Sequence, residues 1–600
     1  MKKFGSFEMD ERARELRKGG IRVRLQDQPF EILALMLERP GDIVTRDELR
    51  QRLWPAGTFV DFEHSLNAAV KRLRAALGDT ADNPRFVETL HKRGYRFIAP
   101  IESDFAPAGA TSDKSRENGG RRTTSVVPLT IGKAPREAGS LRLVVLPFAN
   151  MGNDPTQEYF SDGLTEEMIT QIGRLCPGKL GVLARSSSMR FKRASKSAGE
   201  IGRELAVDYL LEGSVRHEGN LVRIAAQLID ARTEVHLWAE TYDRRLEESL
   251  LLQSDVAARI AQSLAIELVP EQREAIRRVS PRHSEAYHAY LKGRFHWNRT
   301  GDTGLETALG YYARAIDLDP AFATAHAALA RGELALAYGS RQPGRVTLHR
   351  ARTAALRAVD LDAGISDAHV VLAEVSKALD WNWTAAEASY HRAIALSPSC
   401  ETAHRMYGNF LAAMGRPDEA RREADRALWF DPICITVNTH AAWVRYALGE
   451  FDDAIDRCRH TLEMEPDYPA ARRLLGAACM AAGLNADGIR ELEKVASDAS
   501  RDPVSAAWLA HAKGIAGHRD EAARLVKELQ QLGDGRYMPA YDLALAHTGI
   551  GDIDAAFAML ARACDERDPA VIHLVVEPRF APLRDDARFA GLLDTLAIPR

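Results

Sequence analysis

Near residue 90 the stretch "VETLHKRGYRFIAP" (residues 87–100) crowds His91, Lys92 and Arg93 against Gly94, with Arg96 just beyond, between two short β-prone runs. Like charges at a hairpin tip repel one another, so an anion opposite them is the natural explanation, although exposed hairpins also carry Lys and Arg for solubility. A second basic set lies upstream in "EHSLNAAVKRLRAALGD". There Leu66, Ala69, Val70, Leu73 and Leu77 form one helical stripe that stops at Gly78. His64, Ser65, Asn67, Ala68, Lys71 and Arg72 lie away from that stripe. An α-helix fits the DNA major groove, and arginine can bond a guanine edge in two places at once. A hairpin carrying Lys92 and Arg93 can hold a phosphate backbone without reading sequence. The chemistry on offer is anion recognition.

Catalysis has no comparable constellation. Asp162, Glu166, Glu167 and Asp208 are carboxylates in the middle of the chain, but no HExxH, GxSxG or P-loop organises them. The segment "ARSSSMR" (184–190) offers hydroxyls and an arginine to a small anion, while a polar loop after a strand is the commoner meaning of such a run. Cys176, Cys400, Cys434, Cys458, Cys479 and Cys564 include no CxxC pair and no histidine at metal-ligand spacing. No metal site, no cofactor and no catalytic residue is expected.

The elements that must position the basic residues fill the first hundred positions. Strand-like "KKFGSFEMD" and "IRVRLQD" come first. The helical "PFEILALMLERPGD" follows, with Phe30, Leu33, Ala34 and Leu37 on one face. Next, "TRDELRQRLWP" begins with Thr45 and has Glu48 three residues later, a capping box. The basic helix and hairpin complete the block. Strands, three helices and a terminal hairpin make a winged helix-turn-helix of α+β class over 3–101. Residues 1–100 hold 19 Lys+Arg against 15 Asp+Glu, a balance of +4, and the other 500 hold 61 against 69, a balance of −8. The block is the basic part of a chain whose formal charge is −4.

This block resembles the C-terminal DNA-binding domain of OmpR/PhoB-type response regulators, through "PFEILALMLERPGDIVTRDELRQRLWP", "LNAAVKRLRAALGD" and "FVETLHKRGYRFIAP". The resemblance implies a recognition helix at about 62–77 and a wing at about 87–98. It implies that Arg72 reads bases with His64, Ser65 and Ala68 beside it, and that Lys71, Arg74, Thr89 and Arg93 contact phosphates. Ala68, His64 and His91 stand where larger or more basic residues are often found, so no operator can be copied from a relative. Such domains serve phosphorelay signalling behind a receiver domain. The block begins almost at Met1, so control by phosphorylation in cis is not expected. Relatives often bind direct repeats as head-to-tail dimers, which makes a homodimer on double-stranded DNA an expectation of the resemblance.

Residues 102–139 are rich in Gly, Ser, Thr, Ala, Pro and charge and read as a flexible linker, spanning roughly 30–35 Å as a random coil. The next block, 140–270, reads as α/β. "LRLVVLPFAN" is a buried-type strand, "GLTEEMITQIGRL" a helix, "LGVLARSS" a second strand and "AGEIGRELA" a second helix. A meander over 207–243 and a helix near 252–268 follow. The pieces "LPFAN", "YFSDGLTEEM", "YLLEGSVR", "RIAAQLIDA" and "HLWAETYD" resemble the TolB N-terminal-like domain, which implies a fold more than a function.

The third block, 283–600, repeats. Pro398, Pro432 and Pro466 are 34 residues apart, as are Ala386, Ala420 and Ala454, and Ala393 and Ala427. That is the tetratricopeptide period, with "ETAHRMYGNFLAAMGRPDEARREADRALWFDP" as its clearest unit. Beyond about 480 the register is expected to loosen, with Pro503 displaced and Gly551-Asp552 marking another unit. The array reads as an all-α solenoid whose concave groove takes a protein or peptide partner, acidic or C-terminal in character.

No stretch approaches the roughly 20 apolar residues of a membrane span, and "MKKFGSFEMDERARELRKGG" has no apolar leader. The expectation is a multidomain cytoplasmic regulator of transcription, without membrane contact or enzymatic activity. Two other readings stay open on the residues alone. One is a repeat scaffold whose winged helix binds protein, since +4 is modest for a DNA module. The other is an enzyme in the middle block.

Overall fold

The structure, a computed structural model, describes residues within 2–49, 66–99, 141–264 and 284–598, apart from short stretches inside these ranges. The chain divides into two compact units near residue 125.

In the N-terminal unit, β1 (Lys2–Phe4), β2 (Phe7–Asp10), β3 (Glu15–Lys18) and β4 (Ile21–Val23) form an antiparallel sheet in that order. In the helix Asp27–Glu38, Phe30, Leu33, Ala34 and Leu37 are buried as expected, and Ile32 and Met36 are buried too, so this helix lies inside the unit. β5 (Ile43–Thr45) ends in the expected capping box. The Glu48 backbone N–H donates to Thr45 Oγ1 at 3.2 Å, and the Glu48 carboxylate accepts from the Thr45 N–H at 2.8 Å. Arg39, and then Thr45, pull the Glu48 carboxyl down to about 2. β6 (Val87–Leu90) and β7 (Gly94–Phe97) make the hairpin, and β5 pairs with the other edge of β7. Gly94 fits there because a Cβ would stand 2.1 Å from the Val44 carbonyl oxygen. Phe4 and Phe7 meet Phe97 and Phe86 edge to face, with centroids 5.1 and 5.5 Å apart, which ties the first sheet to the hairpin.

In the larger unit the α/β block is one sheet in the order β10-β8-β11-β12-β13, with the short β9 (Ala149–Asn150) beside β11. β8 (Leu141–Val145) runs parallel to both β10 (Leu180–Val182) and β11 (Tyr209–Glu218). β12 (Leu221–Asp230) and β13 (His236–Arg245) complete the expected antiparallel meander. Val222, Ile224, Ala226 and Leu228 alternate inward along β12 and pack with the helix Glu158–Leu175. The expected second strand is shorter than "LGVLARSS" suggests. It stops at Val182, and Arg185–Met189 is a helical turn.

The repeats are helix pairs from Ser284–Trp297 and Asp302–Leu318 through Ala540–Ile550 and Ile553–Glu566. Ala386, Ala420 and Ala454 are fully buried where paired helices approach, and so are Ala522 and Ala556 at the same 34-residue interval. The register does not loosen after 480. Gly415, Gly449, Gly483, Gly517 and Gly551 recur every 34 residues, each with φ between +69° and +90°, ending the first helix of its unit. Only glycine adopts that left-handed turn without strain, so these glycines hold the beat where the prolines lose it. A second recurring device closes the entry to first helices. His326, His369, His404, Asn438 and Arg472 each reach back six residues to a backbone carbonyl, those of Pro320, Ala363, Pro398, Pro432 and Pro466.

From Ala323–Tyr338 onward, first helices pack on the first helices of the next unit, while second helices reach the next unit chiefly through its first helix. The array therefore curves toward its first-helix side. That inner face carries the chain's own C-terminal segment, which contains the 3-10 turns Pro569–His573 and Pro578–Leu583 and the helix Ala587–Leu596. The His573 ring lies 4.3 Å from Trp443, and Tyr446 donates to Glu577 at 2.7 Å. Arg579 stacks 3.6 Å over Trp508, and Phe580 meets Tyr541 edge on.

Candidate functional site

The two basic sets fall mostly outside the described residues. His64, Ser65, Asn67, Ala68, Lys71, Arg72, His91, Lys92 and Arg93 all lie there. Their frame is described. Leu66, Ala69, Val70, Leu73 and Leu77 are helical and buried as the periodicity requires.

Arg74 departs from its expected role. It is only 9% exposed, and its Nη2 donates to the Val87 carbonyl at 2.6 Å and to Thr89 Oγ1 at 2.8 Å. It is a brace between the helix and β6 rather than a free phosphate contact. Its position gives the reason: Arg74 is one turn past Val70 and sits at the edge of the buried stripe. Asp79 braces the same junction, accepting from the backbone N–H groups of Phe86 at 3.1 Å and Val87 at 2.7 Å. Thr89 is exposed, and while it accepts from Arg74 its own hydroxyl hydrogen stays available for a phosphate. Arg96 is committed to Glu88, directly opposite across the hairpin, through bonds of 2.8 and 2.7 Å.

In the larger unit Asp162, Glu166, Glu167 and Asp208 each have a partner. Asp162 is paired with Lys192 at 2.5 Å, and burial pushes its pKa above the usual carboxylate value despite that partner. Burial would raise Glu166 too, but Arg294 and Arg185 outweigh it and hold the carboxyl low. Glu167 accepts from Tyr290 at 3.2 Å. Asp208 accepts from the Arg142 backbone at 3.0 Å and from Arg232 at 3.0 Å.

Two serines of "ARSSSMR" dock the α/β block on the repeats. Ser186 and Ser187 donate to Asp431, at the end of the helix Pro417–Phe430. The Ser187 N–H and Oγ lie 3.0 and 2.6 Å from its carboxylate. Asp431 is fully buried, and that burial, with the charge of Glu401 adding to it, pushes its acid up to about 6. Arg142 reaches the Trp429 carbonyl and lies 4.7 Å over the Trp429 ring, while the Ala184 N–H donates to Phe430 at 2.9 Å. Gly181 leaves the indole its room: a Cβ would stand 2.5 Å from it. Local sequence carried no sign of this seam, because its partners lie about 240 residues apart.

The expected partner groove is, over much of its length, already lined with residues 573–580 of the chain itself. Among the described residues, no helix is long and apolar enough to cross a membrane.

Comparison with known proteins matches this layout. Residues 20–97 match the family "Transcriptional regulatory protein, C terminal", and residues 139–262 match "HilA/YgeH-like transcriptional regulator, second domain". The second match falls on the block whose pieces resemble the TolB N-terminal-like domain. Residues 445–513 match the tetratricopeptide repeat family. The transcriptional regulator HilA of Salmonella typhimurium is 23% identical over 437 residues, 72% of this chain and 71% of that one. "Putative adenylate cyclase 3" of Rhizobium meliloti is 40% identical over 190 residues, 31% of this chain, and the match spans only 32% of that relative's length. The cholera toxin homolog transcriptional activator of Vibrio parahaemolyticus is 39% identical over 80 residues, 13% of this chain and 27% of that one. Among solved structures, PilF of Pseudomonas aeruginosa aligns at 18% identity over 40% of this chain and 98% of its own, with a TM-score of 0.29.

Proposed function

We propose that this chain is a transcriptional regulator that binds promoter DNA through residues 3–101, joined by a linker at 102–139 to an α/β and repeat unit that receives a signal or a protein partner. The observation that carries the reading is the braced winged helix. A helix whose apolar stripe is buried is fixed to a hairpin by Arg74 and Asp79, within a segment that matches a transcriptional regulatory family. In the sequence, Asn67, Ala68, Lys71 and Arg72 lie off the apolar stripe at 66, 69, 70, 73 and 77 on a period of 3.6. We assign base reading to Arg72, with His64, Ser65 and Ala68 beside it, and phosphate contacts to Lys71, Thr89, His91, Lys92 and Arg93.

Promoter binding needs access to the chromosome, so the reading carries a cytoplasmic setting with it. Catalysis is not part of it, because Asp162, Glu166, Glu167 and Asp208 are held by ion pairs, the Tyr290 hydroxyl and a backbone N–H. A protein partner for the repeats either displaces the C-terminal segment or uses another face.

The test is fluorescence anisotropy of the full chain on a random-site DNA library, followed by selection and a salt series. Arg72→Ala should cost about 1–3 kcal/mol on the selected site and relax base preference. Arg93→Ala should weaken all sequences alike and lower the salt slope by about one. Equal losses on selected and random DNA for Arg72→Ala would remove it as the base reader. No enriched motif would remove the proposal.

A further inference from the structure

The α/β sheet has two edges, and the chain treats them differently. At one edge β10 is covered by the helix Pro417–Phe430: Trp429 fills the room left by Gly181, and the Phe430 carbonyl accepts from the Ala184 N–H at 2.9 Å. At the other edge β13 pairs with β12 on one side, and among the described residues no strand pairs with its outer side. β13 is ten residues long, and its ladder with β12 is regular from Trp238 to Arg245. An edge strand turns alternate backbone N–H and C=O groups outward as a template for another strand, so proteins blunt long edges with Pro, Lys, bulges or a covering element. Between Trp238 and Asp243 there is no Pro and no Lys, and the register shift of this ladder lies before Trp238. The two carboxylates of that run are occupied, Asp243 by Arg223 at 2.6 Å and Glu240 by Tyr242 at 2.7 Å.

The side chains of β13 sort by face. Trp238 and Tyr242 pack against the core, while Ala239, Thr241 and Asp243 are exposed and Leu237 is 45% exposed. Thr241 stands opposite Ala225 of β12, and Ala225 opposite Ser214 of β11. A row of small side chains therefore runs out to the edge, with nothing bulky in it to hold a neighbour off. An antiparallel copy of β13 on a two-fold through Thr241 fits this edge. Thr241 meets the partner's Thr241, and Ala239 meets the partner's Asp243. On the other face Glu240 meets the partner's Tyr242, a hydroxyl donor opposite a carboxylate. A two-fold one residue earlier sets Glu240 against Glu240, and one residue later shortens the ladder.

We infer that β13 is the self-association edge of this chain: two copies pair β13 to β13, antiparallel about a two-fold at Thr241, into one continuous sheet. The contact is isologous and closes on itself, so it stops at two copies. A two-fold perpendicular to the sheet keeps the helix layers of both copies on one side and the two rows of small side chains on the other. Edge pairing of this kind belongs to the small, weak class of interfaces, which sets the association in the micromolar range. Two winged helices then travel in one particle, and the second engages DNA as an intramolecular step. That consequence rests on DNA binding by residues 3–101; the pairing itself does not. Its test contains no DNA, so either reading can fail alone.

The experiment is sedimentation equilibrium of the full chain across the micromolar range, on wild type and on two variants, Thr241→Lys and Thr241→Glu. Wild type should fit a monomer–dimer equilibrium. Residue 241 meets only itself at the two-fold, so each variant alone opposes like charges and should dimerise at least about tenfold more weakly. An equal mixture of the two variants should regain the wild-type association, because Lys then meets Glu. A dimer built on any other surface would not show that pattern. A monomer throughout, a dimer that neither variant weakens, or a mixture that stays apart would each overturn the pairing. Hydrogen exchange on wild type decides the matter if a variant fails to fold. The outward amides of 238–243 should exchange fast in dilute protein and slow on concentration; slow exchange of all of them at every concentration would mean that the chain covers its own edge.

Discussion

Arg74→Ala separates a brace from a phosphate contact. In the structure the Arg74 guanidinium donates to Val87 and Thr89 from a buried position. Thr89 is exposed and can turn to water, so its bond counts for little. The Val87 carbonyl is buried, and the charged bond to it is worth about 1.5–3 kcal/mol. Alanine also relieves the desolvation of the guanidinium, which favours the lower part of that range, about 2 kcal/mol or roughly thirtyfold. The loss should appear as faster local opening of the wing. Hydrogen exchange on the full chain, read at the amides of 86–97, should accelerate by about that factor while repeat amides stay unchanged. DNA affinity should fall, with the slope of log affinity against log salt unaltered. Unchanged exchange at 86–97 together with a slope lowered by about one would refute the brace and restore Arg74 as a phosphate contact.

Gly94→Ala puts a Cβ 2.1 Å from the Val44 carbonyl, against backbone that cannot swing aside, so β5 and β7 should separate at a cost of about 3 kcal/mol; exchange of the 43–45 and 94–97 amides at wild-type rates would contradict this. Asp431, held near 6 when folded against about 3.9 unfolded, disfavours folding when ionised. That cost, at most about 3 kcal/mol, is full above pH 6 and relieved as pH falls toward 4. The melting temperature of wild type relative to Asp431→Asn should therefore rise between pH 7 and pH 5, and a constant difference would count against it. Gly517→Ala should cost only about 1–2 kcal/mol, because its backbone is left-handed but its Cβ meets nothing. Gly514→Ala, three residues earlier, should cost clearly more, since its Cβ would stand 2.2 Å from the Gly549 carbonyl. Thermal unfolding of the two variants in the opposite order would refute this account of the repeat turn.

Local patterns in the sequence disclosed the elements that local physics determines. The stripe from Leu66 to Leu77, the Thr45–Glu48 box and the meander from Tyr209 each follow from spacing within a dozen residues, and each is present. The repeat register was legible further than the prolines suggested, because the left-handed turn needs glycine at 483, 517 and 551 whereas Pro466 has no successor one period on. The bond from Arg74 to Val87 spans the helix and the hairpin, so the spacing within the helix did not disclose it. The seam could not be read at all. Nothing near Ser187 announces Asp431, and nothing near Trp443 announces His573, since those contacts are chosen by the packed solenoid and not by neighbours in the chain.

An open helical array unravels from its ends, each unit leaning only on the next. Here three distant straps cross that one-dimensional order: Asp431 to Ser187, Glu577 to Tyr446, and the Trp383 indole to the Ala597 carbonyl at 2.7 Å. A unit in the middle of the array cannot melt while both its ends stay put, because the straps share its fate with partners more than a hundred residues away. The larger unit should accordingly lose its structure in one concerted step, slowly nucleated on account of its distant contacts, where a free-ended array of the same length would fray.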